Sequence, residues 1–277
     1  MSFLIDAFEP TFMQRALIGG LIAVIATSLV GTWIVLRGLS FLGDALAHGV
    51  IPGVALAVLW GFDPALGAFV SALVMSGLVT FVSDRAPVSD DTAIGLLFVG
   101  MLALGVVIIS KAGSFKTDVT AVLFGDALGI TRSDIQNQII YTSIVVVVTV
   151  LLYRPFLALT FNEMKAHTLG MRPRMSQAAL LGLLSLSIVA SFQSIGTLLV
   201  FGLLVAPPAT ASLLVRRVPQ IMAVSILLGS LAVVAGLTIS FHHGTAGGAT
   251  MSGISVLLFF IVLLGHTGVT LLRKVRT

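Results

Sequence analysis

Long apolar runs, separated by short polar segments or by glycine and proline, fill most of this 277-residue chain. A helix needs about 20 predominantly apolar residues to cross a bilayer, and most of the runs have roughly this length. The chain length allows about eight to ten such crossings. The pattern predicts nine transmembrane helices, at residues 13–36, 39–60, 64–83, 92–110, 134–153, 175–193, 195–215, 220–240 and 250–272. A further run, 118–130, is too short to cross and is expected to form a re-entrant or interfacial helix on the outer side.

Composition agrees with this pattern. Hydrophobic residues make up 57% of the chain and charged residues 9%, whereas soluble domains have about 25% charged residues. The mean hydropathy is +1.13. We therefore expect an all-α, polytopic membrane helix bundle, with residues 1–277 forming one integral domain in the lipid bilayer. The net charge of +4 is dispersed and gives no basis for nucleic-acid binding. The absence of cysteine excludes thiolate metal sites, iron–sulfur clusters and cysteine nucleophiles.

The positions of lysine and arginine predict the orientation. With nine spans, eleven of these residues fall on the side of the C-terminus and four on the opposite side. Cytoplasmic loops carry the excess of positive charge in membrane proteins. The sequence therefore predicts a multi-pass protein of the inner (plasma) membrane with a cytoplasmic C-terminus.

The second predicted span contains the strongest chemical signal. Asp44 and His48 are four residues apart, so they share one face of a helix. An ionisable side chain inside a span is costly and usually faces a transport path or a partner. A carboxylate and an imidazole together suit zinc, manganese or iron(II). Pro52 cannot donate to the His48 carbonyl, so a kink is expected there, with a backbone oxygen beside the imidazole. A buried Asp–His tether between two helices is the alternative.

Two adjacent prolines mark the seventh predicted span. Pro207 and Pro208 remove the donors for the carbonyls of Leu203 and Leu204. Irregular helices at membrane depth occur where the backbone is buried in protein or lines a cavity. The two prolines and Pro52 are therefore predicted to be kinks that line the path, with a purely structural kink as the alternative.

The stretch 153–175 is expected to be the longest cytoplasmic loop. Within it, residues 162–171 look like a short capped helix, with Glu163 near its start and Gly170 at its end. Such a helix could dock into a cytoplasmic partner, although an ordinary solvated loop is the alternative. The chain contains no Gly-Lys dipeptide and hence no P-loop, so any ATP energy must come from another polypeptide.

Four further residues are candidates for secondary roles in a metal path. His242 and His243 follow the eighth predicted span and could collect a metal at the outer entrance. Asp126 lies in the short outer run and could act there as a gate or as a helix tether. His266 lies in the inner half of the last span and could serve the exit. Interfacial or structural placement is the alternative for each.

Four ordered motifs carry a family resemblance. They are RGLSFLGDALAHGVIPGVAL (37–56), FGDAL (124–128), NEMKAHTLGM (162–171) and GTLLVFGLLVAPPATASLL (196–214). With them, nearly the whole chain resembles the permease subunit of the zinc/manganese/iron class of ATP-binding-cassette importers, the partners of cluster A-I metal-binding proteins.

The resemblance implies partners and a mechanism. It implies a homodimer with a cytoplasmic ATPase below and an extracytoplasmic metal-binding protein above, working by alternating access and itself not an enzyme. Asp44 and His48 resemble the metal-coordinating pair of the path. Residues 162–171, with Glu163, Ala166 and Gly170, resemble the helix that couples to the ATPase.

Other functions and the choice of metal stay open at this point. A secondary metal transporter driven by an ion gradient usually holds several intramembrane carboxylates, whereas Asp44 is nearly alone in the predicted spans. An intramembrane metalloprotease needs a motif such as H-E-x-x-H, which this chain lacks. No tightly bound cofactor is expected, only a transported divalent metal. The additional outer histidines favour zinc over manganese as that metal.

Overall fold

Helices account for the regular structure in the part of the chain that the computed structural model describes, residues 6–87, 89–111, 129–161 and 171–275. No strand occurs in these ranges, so the all-α prediction is confirmed. The helices are α1 (Thr11–Leu36), α2 (Ser40–Gly49), α3 (Ile51–Trp60), α4 (Pro64–Arg85), α5 (Asp90–Lys111), α6 (Arg132–Leu151), α7 (Tyr153–Phe161), α8 (Pro173–Ile195), α9 (Thr197–Leu214), α10 (Val218–His243) and α11 (Gly247–Val275).

Eight stretches of these described residues are long and apolar enough to cross a membrane. The stretch Ser40–Trp60 combines α2 and α3, and the other seven lie within single helices. The seventh predicted span, 195–215, is not among these eight and corresponds to α9, whose 18 residues give a length of about 27 Å at 1.5 Å per residue. Its apolar described part, Val200–Leu214, is shorter than the other eight. The predicted short helices at 118–130 and 162–171 fall largely outside the described residues.

Local signals explain where several helices begin and end. Asp63 accepts a hydrogen bond from the backbone N–H of Ala65 at 2.7 Å and so caps α4. Thr131 and Asp134 form a reciprocal capping box at the start of α6. Gly196 alone connects α8 to α9. Its φ of 90° lies in the region that favours glycine, so an L side chain there would be strained.

α1 lies at the centre of one group of helices and contacts α6, α8, α9 and α10. Small residues bring these helices close together, as is usual in membranes. Against α10, Gly20 faces Val233 and Gly229 faces Val24, which makes the two helices antiparallel. The start of α1 therefore lies at the same end of the bundle as the end of α10. α2 and α3 pack mainly against α4 and α5, beside this group.

The segment 153–161 differs from the prediction of a loop. It forms α7, because Phe156 and Leu159 give it a buried face. The rings of Tyr153 and Phe156 lie edge-on to Trp33 of α1, with centroids 5.6 and 5.7 Å from it. Aromatic packing against α1 thus continues the helical structure past the predicted end of the fifth span.

Candidate metal centre

Asp44 and His48 lie one turn apart on α2, as their spacing predicts. Both are partly buried, with 28% of the Asp44 side chain and 17% of the His48 side chain exposed. The Asp44 Oδ1 atom is 3.7 Å from the His48 Nδ1 atom. The structure therefore brings a carboxylate and an imidazole together on one helix face within a membrane-spanning stretch.

The His48 imidazole also contacts the backbone of its own helix. The His48 Nδ1 atom lies 3.0 Å from the backbone carbonyl oxygen of Asp44. A carbonyl oxygen can only accept a hydrogen bond, so the imidazole donates to it in the tautomer with the proton on Nδ1. The lone pair of a neutral imidazole is then on Nε2. In that tautomer Nε2 is the nitrogen available to a metal.

Phe98 of α5 forms one wall of the site and was not identified from the sequence. Its ring lies nearly perpendicular to the His48 ring, with the centroids 5.0 Å apart. Phe41, one turn before Ala45 on α2, also lies near Phe98, at 6.2 Å between centroids. The aromatic contact restricts rotation of the imidazole. A phenylalanine in an apolar run carries no sequence signal for this role.

The second span breaks just after His48. The interruption is at Val50, and Pro52 occupies the second position of α3, where its missing N–H costs nothing. The break therefore comes two residues before the proline rather than at it. The His48 carbonyl, expected to be free, faces the backbone N–H of Val50. Pro52 also lines an apolar groove of about 440 Å³ between α3, α4 and α5.

Pro207 and Pro208 lie inside α9, which continues through both of them. Both prolines are buried. The Leu204 carbonyl, which Pro208 cannot satisfy, packs on Gly31 of α1: a Cβ atom there would lie 1.9 Å from its oxygen. The Leu204 side chain meanwhile lies against Gly43 of α2. The Leu204 carbonyl therefore lies at a contact between two helices. Because Leu204 packs on both Gly31 and Gly43, Asp44 lies at the level of the last third of α1.

The other predicted histidines lie away from this pair. His242 and His243 are exposed in the last turn of α10, level with the start of α1. The distance along α1 between the level of these two histidines and the level of Asp44 is about 30 Å, at 1.5 Å per residue. This is nearly the length of a full span. His266 is exposed on α11.

Several predicted site residues cannot be placed. Asp126, Glu163, Ala166 and Gly170 lie outside the described residues. Within the described ranges, no group of three or more Asp, Glu or His residues lies together in a way that could hold a metal. Asp44 and His48 thus remain a candidate pair within the described part of the chain.

The described residues form a bundle with eight apolar stretches of spanning length, one of them broken beside a carboxylate–imidazole pair, which is the architecture of a multi-pass membrane protein. The model of the ABC 3 transport family matches residues 9–266. The chain belongs to this family, and the predicted family resemblance is confirmed.

Curated relatives cover almost the whole chain. A manganese transport system membrane protein of Listeria monocytogenes is 34% identical over 95% of this chain and 94% of its own length. A manganese import system permease protein of Streptococcus parasanguinis is 38% identical, with 90% of this chain and 89% of the relative covered. A chelated iron transport system membrane protein of Yersinia pestis is 32% identical over 95% of this chain and 88% of its own.

A solved structure has the same fold. PsaBC from Streptococcus pneumoniae in complex with Fab contains a chain that is 32% identical and superposes with a TM-score of 0.85, covering 94% of each chain. The comparisons establish a permease of an ATP-binding-cassette transporter and favour this class over a secondary transporter. The relatives are named for manganese or iron, so the comparisons do not support the expected preference for zinc.

Proposed function

We propose that this chain is the membrane permease subunit of an ATP-driven importer of divalent transition metal ions, with manganese as its main cargo and iron(II) next. The observation that carries the proposal is the Asp44–His48 pair, partly buried on one face of a broken span. A carboxylate oxygen and an imidazole nitrogen match the ligand preferences of these ions. Membership of the ABC 3 transport family supports ATP as the energy source.

Two observations favour manganese over zinc. The preference for zinc depended on the outer histidines, and His242 and His243 lie about 30 Å from the level of Asp44 along α1. They therefore add no imidazole to this site. The second observation is the naming of the relatives, two of which are described as manganese transporters and one as a chelated iron transporter.

The remaining assignments concern partners and orientation. The sequence has no P-loop, so a separate cytoplasmic ATPase supplies the energy, and residues 162–171 are proposed to contact it. We further propose a permease homodimer that receives its cargo from an extracytoplasmic metal-binding protein. The excess of lysine and arginine on the side of the C-terminus supports a cytoplasmic C-terminus in the inner (plasma) membrane.

The test is metal uptake by intact cells. The chain is expressed with its ATPase and binding-protein partners in a bacterium that lacks its own manganese importers, and uptake of radioactive Mn²⁺ is followed. Asp44→Ala and His48→Ala should each abolish uptake, because each removes one of two ligands. Asp63→Ala is the matched control: it removes a carboxylate that caps α4, and uptake should persist.

Membrane levels, measured by immunoblot, separate loss of transport from loss of protein. Unlabelled Fe²⁺ and Zn²⁺ are added as competitors, and iron(II) should compete better than zinc. Normal uptake by both site variants would disprove the site. Stronger competition by zinc than by iron(II) would restore zinc as the cargo.

A further inference from the structure

Around the break after His48, the backbone of this span packs unusually close to the backbone of α4. The two segments run antiparallel, so that Gly53 faces Gly67 and, one turn away, Gly49 faces Ser71 and Met75. A Cβ atom built on Gly53 would lie 2.0 Å from the Gly67 carbonyl oxygen. With no side chains between the backbones, even a short serine side chain on α4 can reach the backbone of α2.

Ser71 makes this contact. Its Oγ atom donates a hydrogen bond to the Gly49 carbonyl oxygen at 2.6 Å, and the residue is only 7% exposed. Gly49 is the last residue of α2, where carbonyls lose their partners within the helix. Other buried hydroxyls of this protein, such as those of Ser185 and Ser225, bond to the carbonyl one turn back in their own helix. Ser71 instead joins two helices.

We infer that Ser71 is a positioning residue for metal transport: its hydroxyl holds the end of α2 and thereby the His48 imidazole. The inference rests on the proposed function of Asp44 and His48. His48 directly precedes Gly49, so movement of the Gly49 carbonyl changes the backbone that carries the imidazole. Phe98 restrains the ring itself, whereas Ser71 restrains the backbone from the α4 side.

The expected effect follows from the hydrogen bond. Ser71→Ala leaves the Gly49 carbonyl without this donor, and in an apolar interior such a loss is costly. The ligands remain present, so transport should survive, but the arrangement that binds metal should be populated less often. We expect the half-saturation concentration for Mn²⁺ to rise about fivefold, the factor that corresponds to one net hydrogen bond, with the maximal rate changed much less.

Ser76→Ala is the matched control. Ser76 lies on the same helix, is similarly buried at 5% exposure, and its hydroxyl is 3.4 Å from that of Ser185 on α8. Both variants therefore remove one buried hydroxyl from α4, and both should alter the thermal stability of the detergent-solubilised protein to a similar extent. The half-saturation concentration should rise for Ser71→Ala and stay within about twofold of wild type for Ser76→Ala.

The outcomes separate this inference from the proposed function. If Asp44→Ala abolishes uptake while Ser71→Ala and Ser76→Ala have equal half-saturation values, the positioning role is wrong and the metal site stands. Normal uptake by Asp44→Ala would remove the basis of both. If Ser71→Ala does not reach the membrane, Ser71→Cys takes its place, since it keeps the volume with a weaker donor. A rise of about twofold or more supports the inference, and an unchanged value overturns it.

Discussion

Replacement of Gly67 by alanine tests the close helix crossing on which the break after His48 depends. A Cβ atom on Gly67 would lie 2.3 Å from the Gly53 carbonyl oxygen and 2.6 Å from the Cβ atom of Ala57. Ordinary contacts between a carbon and a carbonyl oxygen are about 3.3–3.6 Å. Helices α3 and α4 would therefore have to separate by roughly 1 Å at this point. The obstacle is backbone and a short alanine side chain, so no flexible group can move aside.

Gly77 is the matched control for the magnitude. It lies ten residues further along the same helix, and a Cβ atom there would meet no described heavy atom within 4 Å. Alanine favours a helix over glycine by up to about 1 kcal/mol, and both replacements gain this term. Only Gly67→Ala also forces a methyl group between α3 and α4, and such overpacking destabilises the fold by about 1–3 kcal/mol. The difference in the free energy of unfolding between the two variants should therefore be about 1–3 kcal/mol.

The assay heats detergent-solubilised fluorescent fusions and measures the surviving monodisperse protein by size-exclusion chromatography. Gly77→Ala should melt at or above the wild-type temperature, and Gly67→Ala should melt several degrees below it. Manganese uptake should also fall for Gly67→Ala, because separation of α3 and α4 draws Ser71 away from Gly49. Equal melting temperatures for the two variants would refute the reasoning, since the short crossing would then impose no cost.

Three further predictions concern the neighbourhood of the site and the two ends of the path. Phe98→Leu should raise the half-saturation concentration for Mn²⁺ uptake a few-fold, because it frees the His48 ring; a larger effect of Phe41→Leu, whose ring lies near Phe98, would contradict this. Gly170→Arg should uncouple ATP hydrolysis from transport or prevent assembly with the ATPase; survival of both co-purification and transport-stimulated hydrolysis would make 162–171 an ordinary connector. The double change of His242 and His243 to alanine should reduce uptake at low metal concentration and leave the maximal rate nearly intact; an unchanged half-saturation value would indicate interfacial anchors only.

The sequence alone was sufficient for the helical architecture. Apolar runs of spanning length predicted the eight stretches found in the described residues, and the one further predicted span, 195–215, corresponds to α9. This works because the bilayer requires each spanning segment to satisfy its own backbone, so hydropathy and length specify the element. The exception was α7, a helix in a segment that was predicted to be a loop. It forms because Phe156 is buried against Trp33.

The sequence by itself also predicted the Asp44–His48 pair of the candidate site. Residues four apart on a helix must share a face, so the neighbourhood of Asp44 and His48 follows from the helix itself. The missing N–H of Pro52 likewise predicts a disturbance of the helix at the proline, although the break lies two residues earlier, at Val50. These are local effects, set by covalent structure and helix geometry.

The tertiary structure decided which groups surround the pair. The partner of the Gly49 carbonyl is a serine 22 residues later, and the ring beside His48 comes from Phe98 of another helix. Neither residue type differs from its apolar or small neighbours in any local pattern. Their roles depend on how closely the helices cross and at which residues they face each other. That register results from side-chain packing summed along whole helices, and at the crossing of α3 and α4 it depends on glycines placed opposite each other.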